Sequence, residues 1–564
     1  MRYAVRSAAA VAAVCLSLGS ALAQSPVPPS PNTATPQAEP SIRGLVFLPR
    51  AEDLVSSGVP APASQIDASR VPALAAPAAQ EELRRYIGLP LRQVLLDSLR
   101  AAIGRYYGSI NRPFVSVAIP KQDVTDGVVQ VVVIEGRLGK LGVQGNRWFD
   151  KDQYLDAVDL KPGDPIDSAA LQAGVDQINR NSYRHATAAA SAGAQPGATD
   201  ITLQAQDRFP VGVSAGIDNT GNSSTGLYRG WTALDWGNAL WRGDDFNYRF
   251  TTSIEDPRLL RQHSFSYTSY LPWHDVLSLS GSIVDSNTRG STPITTAGHN
   301  DYASLRYQRG LPIYQIPGFG ALTHTLTVGY DFKSSNNNIL FGGVSVFPST
   351  TEIDQFLAIY GATLPDALGS TNFTGTLVMS PGGMTGLNNT ATFQTQQAGA
   401  RADYIYGNIA LDRLTNLVYG VTWDARAIYQ RSNGILLSSE QLPFGGPYVN
   451  RGFITAGATR DEGFQMMHEL RAPPYQPNVP HFFGVEGWRD QFQAFLFFDY
   501  GIGWNHPAPG ASNDSWLSEM TIGPGFTYQL DRYLSMRFTY GVPLQRVGFT
   551  GDTLRSQFAV TLTY

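Results

Sequence analysis

The last ten residues read Arg555-Ser-Gln-Phe-Ala-Val-Thr-Leu-Thr-Tyr564. Phe558, Val560, Leu562 and Tyr564 share one face; Gln557, Ala559, Thr561 and Thr563 share the other. This is a period-two strand, apolar on one side and polar or small on the other. Two environments suit it. One is the half-buried sheet of a soluble β protein. The other is the wall of a transmembrane β-barrel, where lipid-facing and lumen-facing residues alternate and a terminal aromatic such as Tyr564 sits in the interfacial girdle.

The same alternation runs back to Phe209. Phe246, Tyr248 and Phe250 alternate, as do Leu277, Leu279, Gly281 and Ile283, then Leu326, Val328, Tyr330 and Phe332. Helical periodicity is absent from this part. At roughly 22 residues per strand and turn, residues 209–564 hold about sixteen strands, an even number as a closed bacterial barrel requires. A soluble propeller would show a per-blade repeat, and none is visible. Charged residues make up 15% of the chain, against about 25% in soluble domains. Aromatic residues make up 11%, and no long apolar run follows the N-terminal segment. Helical membrane spans are thereby disfavoured and a barrel favoured. The expected fold is mainly β: a transmembrane barrel of about sixteen strands, residues 209–564, preceded by two small α+β domains.

Residues 1–23 read as a secretory signal. Arg2 and Arg6 form a basic start, Ala8 to Leu18 an apolar run, and Ala21-Leu22-Ala23 a cleavage site. The bulky Val14 argues against lipidation at Cys15. That cysteine is the only one, so the rest of the chain carries no disulfide and no thiolate metal ligand. Such a chain can cross an oxidising periplasm without mispairing. The net charge of −5 becomes more negative once Arg2 and Arg6 leave, and no basic face suggests nucleic acid. Residues 24–40 hold six prolines and read as an extended linker.

Residues 41–136 and 137–208 read as two similar α+β passes of order β-α-α-β-β. In the first, Leu95, Leu99, Ile103 and Tyr106 mark a helix; Val115, Val117 and Ile119, then Val129, Val131 and Val133, mark two strands. In the second, Leu141 and Val143 mark a strand, Lys151 to Val158 a helix, and Asp167 or Ser168 caps a helix carrying Leu171, Val175 and Ile178. Strands near Tyr183–Ala189 and Asp200–Gln206 close the unit. No H-E-x-x-H, P-loop or G-x-S-x-G is present, Gly523-x-Gly525 lacks a third glycine, and the eight histidines are scattered. No enzymatic activity, catalytic residue, cofactor or metal is expected.

Four motifs carry a resemblance. Glu440 to Leu470 includes Gly445-Gly446, then Asn450-Arg451-Gly452-Phe453. It resembles the L6 loop and following strand of TpsB transporters of two-partner secretion (FhaC/ShlB/HecB type), within the BamA superfamily. The family's loop tip has Val where Asn450 stands. Phe497-Phe498-Asp499-Tyr500-Gly501 is similar to the family's F-x-D barrel strand. Asp218-Asn219-Thr220-Gly221 is similar to its D-N-x-G lead-in to the first barrel strand. Ile119-Pro120-Lys121-Gln122-Asp123, with Gly127 and Val133-Ile134-Glu135-Gly136, looks like the end of a first POTRA domain.

The resemblance implies an outer-membrane pore with periplasmic POTRA domains that captures an unfolded TpsA-like exoprotein of haemolysin or adhesin type and passes it to the cell surface. It implies outer-membrane lipid and lipopolysaccharide around the barrel, and insertion by the barrel assembly machinery. It also implies that Arg451 folds into the lumen and pairs with Asp499. Some family members begin with a helix that plugs the pore; the proline-rich 24–40 stretch cannot form one. Two other readings stay open: a BamA- or TamA-like insertase, and a passive porin.

Overall fold

The computed structural model describes residues 40–195, 197–288, 294–341, 344–347, 349–479, 487–508, 510, 515–548 and 551–564. The expected signal peptide, and the proline-rich stretch apart from Pro40, lie outside the described residues.

The first small sheet is built around Gly44–Leu48, which pairs in parallel with Ile66–Asp67 and with Val128–Glu135; Val115–Ala118 completes it. Val128 to Val133 are buried on both faces, more than the alternating Val129, Val131 and Val133 suggested. The side chain of Gln130 is tolerated there because it bonds both the N–H and the C=O of Val55, at 3.1 and 2.8 Å. Two helices accompany the sheet, Pro77–Arg84 and Gln93–Ser109. Leu99 and Ile103 of the second are fully buried, as their spacing required.

The second small sheet has the order Arg137–Gln144, Ala198–Asp207, Arg184–Ala192, with the last strand at an edge. Helix Ser168–Arg180 starts where Asp167 accepts from the N–H groups of Ala169 and Ala170 at 2.8 and 3.1 Å. Its Leu171, Val175 and Ile178 pack with Phe149, Tyr154 and Leu203. The helix expected over Lys151 to Val158 is only Asp152–Leu155. Val158 N–H bonds back to Leu155, a tight i−3 turn that ends it, and Pro162 follows.

Sixteen strands close into a barrel, from Val211–Asp218 to Ser556–Thr563. The penultimate strand is broken at Gly541 into Leu534–Tyr540 and Val542–Val547. First and last strands pair antiparallel, with Asp218 opposite Ala559 and Ser214 opposite Thr563. Connections at the residue 211 end include short turns such as 240–243 and 367–368; those at the other end include the long loops 382–402 and 433–461. Leu279, Ile283, Leu326 and Val328 point outward and are exposed, as the period-two pattern required.

Among the described residues, a helix in one of the long loops departs from the expected all-strand texture. Loop 382–402 contains helix Thr390–Gln396, capped by Asn389 Oδ1 accepting from Thr392 N–H at 3.1 Å. Its Phe393 is fully buried against Ile353, Leu357, Tyr404, Leu436 and Leu437. Those strand residues alternate with the exposed Phe356 and Ile405, so the helix lies on the inward face of the wall. At seven residues it is too short to print a helical stripe in the sequence.

Candidate functional site: an inward-folded loop and its carboxylates

Loop 433–461 follows strand Thr422–Ser432 and precedes strand Glu462–Arg471. Its stem is a short hairpin in which Leu442–Phe444 pairs with Ala458–Arg460. Gly445 and Gly446 take φ of 82° and 107°, left-handed values that other residues rarely adopt. The turn then closes on itself, Gly446 N–H to Asn450 O and Asn450 N–H to Gly446 O, each at 3.1 Å.

Phe444 is fully buried on a floor of glycines. A Cβ added at Gly503 would lie 2.6 Å from its ring, and one at Gly463 or Gly501 about as close as 3.0 and 3.1 Å. These glycines provide room for the ring. Gly523 and Gly525, on the neighbouring strand Trp516–Leu530, do the same for Phe497 and Phe495.

The tip delivers Arg451, among the largest fully buried side chains described. Its Nε donates to Asp499 Oδ2 at 2.7 Å, its Nη2 to Oδ1 at 2.5 Å, and its backbone N–H to Oδ2 at 2.9 Å. The guanidinium also lies over the ring of Phe497, 3.9 Å from the centroid. An unpaired guanidinium is expensive to bury; a bidentate carboxylate with an aromatic face beneath it offsets that cost.

The arrangement is larger than the single pair implied by the resemblance. Arg451 Nη1 donates to Glu469, two strand positions from Arg471 on Glu462–Arg471. Glu469 also accepts from Arg537, and from Arg471 Nε at 2.9 Å. Arg471 in turn reaches Asp424 at 2.5 Å. Asn450, where the family has Val, is fully buried with its amide 3.4 Å from the Glu519 carbonyl; Glu519 Oε1 accepts from Gly445 N–H at 3.1 Å. Beyond the arginine, Gly452–Phe453 pairs with Thr553–Leu554, and Gln557 Nε2 donates to Phe453 O at 2.9 Å. The loop is thus held by three strands of the wall, by the last strand through Gln557, and by the segment just before it.

Of the residues singled out in the sequence, Asn450, Arg451, Gly452, Phe453, Phe497, Asp499 and Gly501 come together here. Asp218, Asn219 and Gly221 do not, and they do not lead into the first strand: Asp218 ends it, at the long-loop end. Asn219 bridges the closing seam instead. Its Nδ2 donates to Ser556 O at 2.8 Å and its Oδ1 accepts from Phe558 N–H at 2.9 Å. Tyr564 stands 92% exposed at the opposite rim, its N–H bonded to Val213 O at 2.8 Å. Sequence reasoning missed Glu469, Arg537 and Glu519. The usable signal was parity: Glu469 lies across from Phe497, and Phe497 shares its inward face with Asp499.

The family described as haemolysin secretion/activation protein ShlB/FhaC/HecB matches residues 197–523, more than half of the chain. The outer membrane transporter CdiB-2 of Burkholderia pseudomallei (strain 1026b) is 23% identical over 465 residues, covering 78% of this chain and 74% of its own. CdiB of Dickeya dadantii (strain 3937) is 23% identical over 482 residues, covering 80% and 76%. The solved structure of CdiB from Escherichia coli superposes with a TM-score of 0.73 at 19% identity, covering 95% of this chain and 93% of that one. The chain belongs to the ShlB/FhaC/HecB family: it is a TpsB-type outer-membrane β-barrel transporter, with N-terminal POTRA domains and no enzymatic activity, that secretes a partner exoprotein.

Proposed function

We propose that residues 41–136 and 137–208 act as two POTRA domains that capture an unfolded TpsA-like exoprotein, of haemolysin or adhesin type, by strand addition, and that the barrel of 209–564 releases it past a loop latched by Arg451. The paired geometry of Arg451 and Asp499 is the observation that carries the latch, since a charged pair buried in the lumen holds the loop across the path. Strand Arg184–Ala192 supports capture. It is an edge strand whose residues 187–192 are exposed, small and uncharged, without the lysine, proline or bulge that guards most edges. Strand addition reads backbone more than side chains, which suits an extended, unfolded cargo. Outer-membrane lipid and lipopolysaccharide surround the exposed Leu279, Ile283 and Val328, and the barrel assembly machinery inserts the chain. Asn219 locks the seam and Tyr564 joins the interfacial girdle. The test is a barrel beginning at residue 209. It should insert and secrete nothing, while the fragment 41–208 binds an unfolded segment of the exoprotein. Normal secretion by the bare barrel would remove the capture role.

A further inference from the structure

The outward face of the barrel at its short-turn rim continues onto the second small domain. On the first strand Val213 and Ile217 mark the lipid face, being 51% and 47% exposed. Phe209 has the same parity, just before the strand, and is itself exposed. On the neighbouring strand Arg229–Ala239, Leu234 marks the lipid face, and Trp236 follows in register beside Val211. Trp236 packs edge-on to Trp241 of the first turn, 5.6 Å between centroids, and Trp241 is 77% exposed. Trp148 belongs to the small domain. It packs edge-on to Phe209, 5.1 Å between centroids, and remains substantially exposed.

The turn that carries Trp148 is rigid. The Asp207 carboxylate accepts from the N–H groups of Arg147, Trp148 and Phe149 at 2.9, 3.0 and 3.1 Å. Asn238 of the barrel donates to Trp148 O at 3.3 Å, and Gln153 donates to Trp241 O at 2.7 Å. Trp148, Phe209 and Trp241 are all exposed along one rim, and aromatics gathered in that way, unlike single scattered ones, mark a contact surface. Tryptophan with flanking arginine suits the headgroup level of a bilayer, where the ring stays half-apolar and the guanidinium meets phosphate. Arg147 lies 4.8 Å from the Trp148 ring and is exposed, as is Arg242 beside Trp241.

We infer that Trp148 and Arg147 moor the second periplasmic domain to the phospholipid headgroups of the inner leaflet, extending the barrel's aromatic belt onto that domain. The occupant is lipid because the surface is continuous with the lipid-facing parity of the first two strands and lies outside the pore. The mooring stands on the barrel, and is separate from the capture role proposed above.

With Cys15 replaced by Ser, the chain has no cysteine and single labels can be placed. Trp148→Cys, Arg147→Cys, Trp241→Cys and Ser191→Cys would each carry a polarity-sensitive fluorophore in phospholipid nanodiscs, with heat-modifiable mobility checking that each barrel is folded. Ser191 serves as the aqueous reference. Its strand starts at Arg184, whose guanidinium packs on Gly243 at the rim, and seven residues at about 3.3 Å carry it roughly 23 Å along. The labels at 147, 148 and 241 should be quenched by phospholipid brominated near its headgroup and shielded from iodide, and the label at 191 should show the reverse. Iodide quenching at 148 equal to that at 191 overturns the inference. So does shielding at 148 that appears only when an unfolded exoprotein segment is added, since the surface would then belong to the cargo.

Discussion

The Asp499 carboxylate receives three hydrogen bonds from Arg451, and one of them comes from the arginine's backbone N–H. The two substitutions at this pair are therefore unequal. Arg451→Ala leaves Asp499 buried with only the backbone donor, whereas Asp499→Ala leaves the guanidinium with Glu469. Breaking a buried pair typically costs roughly 3–5 kcal/mol. Both variants should insert as heat-modifiable barrels and release far less exoprotein into the medium, Arg451→Ala the lesser of the two. The double variant should be little worse than Arg451→Ala, and Arg451→Lys should recover part of the loss. Strictly additive losses in this cycle would show that the residues act separately.

Gly503 faces Phe444 across a gap that admits no Cβ. Gly503→Ala should push the ring out of its seat at a cost of about 1–3 kcal/mol. The barrel should still assemble, while loop 433–461 becomes cleavable by trypsin at Arg460 in intact cells. Protection equal to that of the unaltered chain would show that the floor does not hold the loop.

The Asn219 side chain contributes two hydrogen bonds to the seam between first and last strands. Asn219→Ala should remove about 0.5–1.5 kcal/mol per bond and lower the temperature at which the folded band converts to the unfolded one. Asn219→Asp keeps the acceptor for Phe558 N–H and loses the donor to Ser556, so it should fall between. A transition unmoved in both variants would deny the residue any part in closure.

Phe393 fixes the inward helix to Leu436 and Leu437 of the latched loop. Phe393→Ala removes a fully buried ring, a change worth about 3–5 kcal/mol. Single channels in planar bilayers should open more often and to larger currents, with the effect enlarged by Arg451→Ala. Currents identical to those of the unaltered chain would mean that loop 382–402 does not obstruct the lumen.

What could be read in the sequence was what repeats locally. The alternation from Phe558 to Tyr564 and from Leu326 to Phe332, the Asp167 cap and the run around Arg451 each announce themselves within a dozen residues. What could not be read depends on partners far along the chain. Asn219 meets Ser556 and Phe558 more than 300 residues away, so no local cue said at which rim it sits. Gly523-x-Gly525 carried no reading beyond the lack of a third glycine; the rings that need their missing side chains, Phe497 and Phe495, come from the adjacent strand. Glu469 passed as an ordinary acidic residue until strand pairing brought Arg537 and Arg451 to it. Helix Thr390–Gln396 carries one fully buried residue, and one residue makes no period.

The wall of the barrel is uneven in height. The first and last strands have 8 residues each, whereas Ile294–Gly310 has 17 and Ala321–Phe341 has 21. At about 3.3 Å per residue and a tilt near 40°, the short strands rise roughly 20 Å and the longest more than 50 Å, against an apolar band of about 25 Å. The tall hairpin is long enough to stand clear of the hydrocarbon, and it carries a polar run from Lys333 to Asn338 before ending at Ile339-Leu340-Phe341. The outer mouth is therefore cut obliquely, like a quill. A palisade thus walls one flank of the mouth, and the flank beside the seam is left low.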